Sequence, residues 1–209
     1  MIHRQLKNFI YILFTLLISN LALAEGAQSA NEKSQTNKLP GSIALHIAKT
    51  HYEHPVRLLH PYLDVWHMKG PLAEKAALST LSKRIENVQL CRNSDNVNAV
   101  VLLEPHMFYN PQLRVFHGEM IARVFVNTVE LNDLEKPLIT VKKQAQQNGD
   151  LGIKPDFYME KAYIKAMDKI IKKLESDPTF TSAIKTIQKG NANSLCAALD
   201  DLPVAKIYY

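Results

Sequence analysis

The sequence predicts an α+β fold. It reads as a two-layer sandwich, with a mostly antiparallel sheet of four to five strands and two main helices on one face, in the order β-α-β-β-β-β-α-α. Three observations carry this. Arg114 to Val126 alternates with a period of two, Phe116, Gly118, Met120, Ala122, Val124 and Val126 against Val115, His117, Glu119, Ile121 and Arg123, the pattern of a strand buried on one side. Met159, Tyr163, Ala166, Met167, Ile170, Ile171 and Leu174 fall on one helical stripe, backed by Lys161, Lys165, Lys169, Lys172 and Lys173. A run of strands lies between this helix and an earlier one, which suits helices packed on one face of a sheet.

The elements follow in order. Ser42 to Ala48, SIALHIA, is an apolar run and the expected first strand. Lys49 to Lys69 contains Pro55 and Pro61, too proline-broken for a long helix. Its Val56, Leu58, Leu59, Tyr62, Leu63, Val65 and Trp66 must nevertheless pack on something, so it is expected to be an ordered excursion lying on the domain. Gly70-Pro71 opens a helix, with proline at its favoured first position and Ala73, Ala77, Leu78, Leu81 and Ile85 on one face. Asn87 to Cys91 reads as a short strand and Asn98 to Phe108 as an apolar one, where Pro105 implies an edge position or a bulge. Tyr109 to Gln112 is the turn into the alternating strand, and Asn127 to Lys136 is a polar connection to a strand at Pro137 to Gln144. Asp156 is placed to cap the long helix, Asp177-Pro178 ends it, Phe180 to Gln188 is a shorter helix, and Gly190 to Pro203 reads as a loop.

The amino-terminal residues predict export. Arg4 and Lys7 precede an apolar run, Phe9 to Leu23, and Ala22-Leu23-Ala24 has the form of a cleavage site, so Glu25 would begin the mature chain. The rival is a retained anchor, but about 15 apolar residues fall short of the roughly 20 a spanning helix needs. The expected organisation is a signal peptide over 1–24, a flexible polar tether over 25–40 and one α+β domain over 41–209, located in the periplasm with no stable membrane anchor after cleavage. Full-length charge is +5, which falls when the basic leader is removed; with export, this argues against a nucleic-acid partner. In an oxidising compartment the two cysteines, Cys91 and Cys196, are expected to form a structural disulfide.

The segments IALHIA, GPLAEKAALSTLSKRI, NAVVLLEPHMF, LRVFHGEMIARVFV, PLITVKKQ and DFYMEKAYIKAMDKIIKKLESDPTF resemble, in order and texture, the small envelope α/β domains of YajG-type lipoproteins, the curli-secretion lipoprotein family and the TolB amino-terminal domain. The resemblance is one of pattern over about 130 residues and rests on no diagnostic motif. It implies a non-catalytic role in envelope assembly or transport and carries no residue-level site across. Two departures stand out: no lipobox cysteine follows the leader, and the excursion over 49–69 is an addition.

The candidate chemistry lies mostly in that excursion. His51, His54, His60 and His67 fall within it, with Glu53 and Asp64 nearby, a donor set of the kind zinc or copper takes; ordinary loop histidines are the simpler reading. Tyr62, Trp66, His67 and Met68 are side-chain types common at recognition surfaces, and equally common in a loop that covers a sheet. His117, Glu119 and Arg123 share a strand face, with Glu104 and His106 on the neighbouring strand; this set could make an acid–base pair, and a plain wet face is the simpler reading. There is no G-x-S-x-G elbow, P-loop, H-E-x-x-H or dinucleotide fingerprint. The leading expectation is a non-enzymatic envelope protein without a cofactor, binding another envelope protein through the Pro55 to Gly70 excursion and an exposed sheet edge; the alternative is a periplasmic zinc- or copper-binding protein.

Overall fold

The computed structural model describes residues 38–93, 96–126 and 136–201. The expected leader, nearly all of the tether, most of the connection after Val126 and the last eight residues lie outside the described residues.

The elements are β1 (Leu39–His46), α1 (Lys49–Tyr52), β2 (Pro55–Leu59), β3 (Asp64–Met68), α2 (Lys69–Leu81), β4 (Ile85–Leu90), a 3₁₀ turn (Cys91–Asn93), β5 (Ala99–Asn110), β6 (Val115–Val126), β7 (Ile139–Asn148), α3 (Pro155–Glu175), α4 (Pro178–Thr186) and α5 (Asn193–Asp200). The fold is α+β. A five-stranded sheet has the order β4-β1-β5-β6-β7, and β2 and β3 form a separate two-stranded sheet.

Most of the paired residues of the sheet are antiparallel, and β1 adds a parallel part. β1 runs parallel to both β4 and β5, while β5–β6 and β6–β7 are antiparallel. The reason is connectivity: β1 reaches its neighbour β4 only after the chain has crossed over through α2, and such a crossover returns the strand in the same direction. Pro105 is tolerated within β5 because β1 pairs only as far as Leu102, so beyond that point β5 is locally an edge.

The main core lies between one sheet face and α2, α3 and α4. Ile43 and Leu45 of β1, Val101 and Leu103 of β5 and Phe116, Met120 and Ala122 of β6 meet Ala73 and Ala77 of α2, Met167 and Ile170 of α3 and Phe180 of α4. The predicted stripe of α3 is buried, with Ala162 added to it. Ala162 matters because β6 meets α3 at Gly118, where an added Cβ would lie 3.0 Å from the Ala162 Cβ. Glycine is the residue that lets helix and sheet approach this closely.

The excursion over 49–69 lies on the domain as a short helix and a β-hairpin, with Leu58 buried. Two local expectations are corrected. Within the expected loop, Asn193–Asp200 forms α5, which packs Leu195, Cys196 and Leu199 on the other sheet face, against Ala44, Val100, Leu102 and Phe125, while residues 202 and 203 lie outside the described residues. Asp156 does not cap α3, whose N-cap position is Lys154 in the left-handed region with no side-chain cap bond. Asp177, by contrast, caps α4 by accepting from the backbone N–H groups of Thr179 and Phe180. Cys91 and Cys196 are disulfide-bonded with their Cα atoms 6.0 Å apart, tying the turn after β4 to α5.

Candidate functional site

The β2–β3 hairpin sorts its side chains by alternation. The register pairs Val56 with His67, Arg57 with Trp66, Leu58 with Val65 and Leu59 with Asp64. Leu58 is buried, and Val56 and Val65 pack against the main core from the same side of the hairpin. The opposite side carries Arg57, Leu59, Asp64, Trp66 and Met68. Leu59 and Trp66 are each 57% exposed, Met68 45%, and Tyr62 in the turn 89%.

Two interactions set the character of this outward side. The Arg57 Nε–H donates to Asp64 Oδ1 at 2.9 Å, and the Arg57 guanidinium carbon lies 5.9 Å from the centre of the Trp66 ring. The two charges offset one another, so the surface is apolar and nearly uncharged. In the turn, the Tyr62 N–H donates to His60 Nδ1 at 3.2 Å.

His67 departs from the expectation that it would join Tyr62, Trp66 and Met68 at a contact surface. One residue along a strand reverses the face, so His67 points inward, with Nδ1 2.8 Å from Asp156 Oδ1 of α3. The same geometry disperses the proposed metal ligands. His51 lies on α1, His60 in the hairpin turn and His67 against α3, and among the described residues no three histidine, cysteine or acidic side chains are arranged to hold a metal ion. His51, His54, His60 and His67 therefore do not form one site.

A buried polar network lies on the second sheet face. Glu104 of β5 is 7% exposed, with one oxygen 3.0 Å from His106 Nε2 and the other accepting from Arg123 Nη1 at 2.8 Å. The His51 ring stands edge-on to His106 with centroids 6.1 Å apart, and Lys69 is buried nearby. The hydrogen bond from His106, aided by Arg123 and opposed by burial, holds the Glu104 pKa down at about 2. Burial pushes His51 down to about 4, with Glu104 opposing and Lys69, His106 and His54 adding to the shift. A carboxylate with a lowered pKa is a poor proton acceptor near neutral pH, and Glu104 is paired with Arg123.

The other strand residues weighed for acid–base chemistry are engaged separately. Glu119 pairs with Lys142 at 2.9 Å, His117 packs against Phe108 and lies 3.4 Å from Gln146 Nε2, and Arg123 serves Glu104. The proximity of His51 and Lys69 to Glu104 depends on the tertiary fold. The sequence carries a signal of the network, since Glu104 interrupts an apolar run, VVLLEP, and a carboxylate in a buried strand requires donors.

The expected open sheet edge is also modified. β7 ends the five-stranded sheet, and the Lys165 and Lys169 ammonium groups of α3 donate to the Gln146 and Gln144 carbonyls at 3.2 and 2.8 Å. Lysines placed at an edge discourage pairing with another strand.

Comparison with known proteins returns similarity to solved structures only. No family model matches the chain, and no curated protein matches it. Among solved structures, it is similar to a protein of Xanthomonas campestris under the family model DUF330, with a TM-score of 0.44 and 8% identity over 69% of this chain and 87% of that one. It is also similar to a candidate lipoprotein of Caulobacter crescentus, with a TM-score of 0.34 and 11% identity over 69% of this chain and 92% of that one. Neither neighbour carries the name of the YajG-type, curli-secretion or TolB families. Among the described residues no helix is long and apolar enough to cross a membrane.

Proposed function

We propose that this chain is a non-enzymatic periplasmic protein that binds another envelope protein through the outward side of the β2–β3 hairpin. One observation carries the reading: Leu59, Tyr62, Trp66 and Met68 stand exposed together on an element whose inward side is already committed to the core. Scattered exposed apolar residues are ordinary, but grouped aromatic and sulfur side chains mark contact surfaces.

The occupant is a protein surface with an apolar patch. A membrane surface is the poorer fit, because binding to anionic lipid draws on unpaired basic side chains and the one arginine here is neutralised by Asp64. The signal peptide read from the sequence supports the periplasmic compartment. The function requires no cofactor and no nucleic acid.

The test compares Tyr62→Ala and Trp66→Ala with the wild-type protein as bait for envelope extracts, with circular dichroism on each sample. The reading expects a specific partner retained by wild type and lost by both variants while their spectra and melting temperatures stay near wild type. Retention of the same partner by both variants would refute it.

A further inference from the structure

A second surface stands apart from the hairpin's outward side. At the carboxyl ends of the parallel strands β1 and β4, a cavity of about 390 Å³ opens beside the disulfide. Its place follows from topology. From β1 the chain leads by α1 and the hairpin to α2, which covers one sheet face, while the turn after β4 is tied to α5, which covers the other. Connections that diverge from adjacent parallel strands leave a crevice between them, the usual place for ligands in such sheets. The volume lies within the range typical of small-molecule sites.

The lining has a definite chemistry. Leu45, Ile47, Tyr52, Leu90 and Ala197, with the Cys91–Cys196 bridge, supply apolar wall. Four side chains of formal charge line it, Lys49, Arg92, Glu74 and Asp200, together with His46, whose pKa burial lowers despite Asp200 beside it. Arg92 and Glu74 face each other at 3.7 Å. Asp200 Oδ1 is 3.0 Å from His46 Nε2 and accepts from the Lys49 backbone N–H at 2.9 Å, so the Asp200 charge is held by hydrogen bonds rather than by a cationic side chain of a lysine or arginine. No carboxylate among the described residues lies within ion-pair distance of the Lys49 ammonium. The cavity thus presents one cation and one anion that do not neutralise each other, on an apolar wall.

We propose that this cavity is a binding site for a small zwitterion of the amino-acid class with an apolar side group, its carboxylate meeting Lys49 and its ammonium meeting Asp200. The four charged groups sum to zero, which suits a ligand with both signs and no net charge better than a simple anion or cation. The apolar body would lie along Leu45, Leu90 and the disulfide.

The probe is L-phenylalanine, titrated into the ¹⁵N-labelled mature protein and followed by amide shifts. N-acetyl-L-phenylalanine, which lacks the ammonium, and L-phenylalanine methyl ester, which lacks the carboxylate, are the comparisons. The proposal expects saturable shifts clustered at residues 45–52, 90–92 and 193–200, with each capped analogue binding at least about tenfold more weakly. Asp200→Asn keeps acceptors for His46 and Lys49 and should fold; in it the preference for the free amine over the acetylated form should vanish. Lys49→Met, on an exposed position, should remove the preference for the free acid over the ester. Ala197→Trp, on the exposed side of α5, should block the shifts with the far-ultraviolet spectrum unchanged. Absence of saturable shifts in the folded wild-type protein, or equal binding of all three probes, would overturn the proposal.

Discussion

His67 Nδ1 lies 2.8 Å from Asp156 Oδ1, and this contact joins the second strand of the hairpin to the first turn of α3. It places the apolar outward side of the hairpin at a fixed orientation on the domain. Leu63 adds to the junction by reaching the loop before α3, where its Cδ1 would lie 3.8 Å from a Cβ added at Gly152.

Asp156→Ala should therefore loosen the hairpin more than it destabilises the domain. The Asp156 side chain is two-thirds exposed, so the loss in global stability should be about 1 kcal/mol or less. Hydrogen exchange is the informative measurement: amides of residues 55–68 should exchange faster while those of β5 and β6 are unchanged. Uniform acceleration across the sheet would contradict the local role.

Stability should fall on acidification in two overlapping stages. The His51 pKa is depressed to about 4 from 6.5, so the unfolded chain takes up this proton first and stability drops as pH falls from 6.5 towards 4. The Glu104 pKa is depressed to about 2 from 4.5, so its contribution is complete above 4.5 and is lost as pH falls through that window. His46 and His54 are also lowered by burial and act in the first stage with the same sign. Urea midpoints measured from pH 7.5 to 2 should hold steady above about 6.5 and decline below it, and His51→Gln should make the part between 6.5 and 4 shallower while leaving the part from 4.5 to 2. A His51→Gln profile parallel to wild type would remove His51 from the account.

Lys165 and Lys169 are expected to keep β7 from pairing with other chains. Replacing both with alanine frees the Gln144 and Gln146 carbonyls at the sheet edge. Light scattering at high protein concentration should then show self-association absent from wild type, with the monomer's helix content nearly unchanged. A double variant that stays as monodisperse as wild type would assign those lysines to the helix surface alone.

Tyr163 is fully buried on α3, and its hydroxyl has no hydrogen-bond partner among the described residues. Burial also drives its pKa far upward, so it stays neutral. Removing an unsatisfied polar group from a core is neutral or favourable, whereas removing a satisfied one costs about 1 kcal/mol. Tyr163→Phe should thus hold or raise the melting temperature. A clear fall would mean that the hydroxyl is satisfied in solution.

Most of the secondary structure was legible because its causes are local. The period of two in β6 and the stripe of α3 are direct consequences of one-sided burial, and both stand within a residue or two of where the pattern placed them. The mixed character of the sheet was not legible, since strand direction depends on which strands become neighbours and β1 pairs with partners about 45 and 56 residues away in sequence. α5 was missed because its eight residues carry only Leu195, Cys196 and Leu199 as a buried face, too few to outweigh the asparagines before it. In the excursion, the aromatic cluster was visible but the hairpin register was not, and the register separates His67 from Trp66. Sequence proximity of His51, His60 and His67 likewise said nothing of the helix, turn and strand that carry them apart.

The most direct test of the account is site-specific photocrosslinking in the intact envelope, with a photoreactive phenylalanine analogue placed at Trp66 and, as control, at Lys172 on the exposed face of α3. The account predicts one discrete adduct from position 66, absent from position 172 and lost when Tyr62→Ala is added. No adduct at position 66, or the same adducts from both positions, would contradict the hairpin as the binding surface.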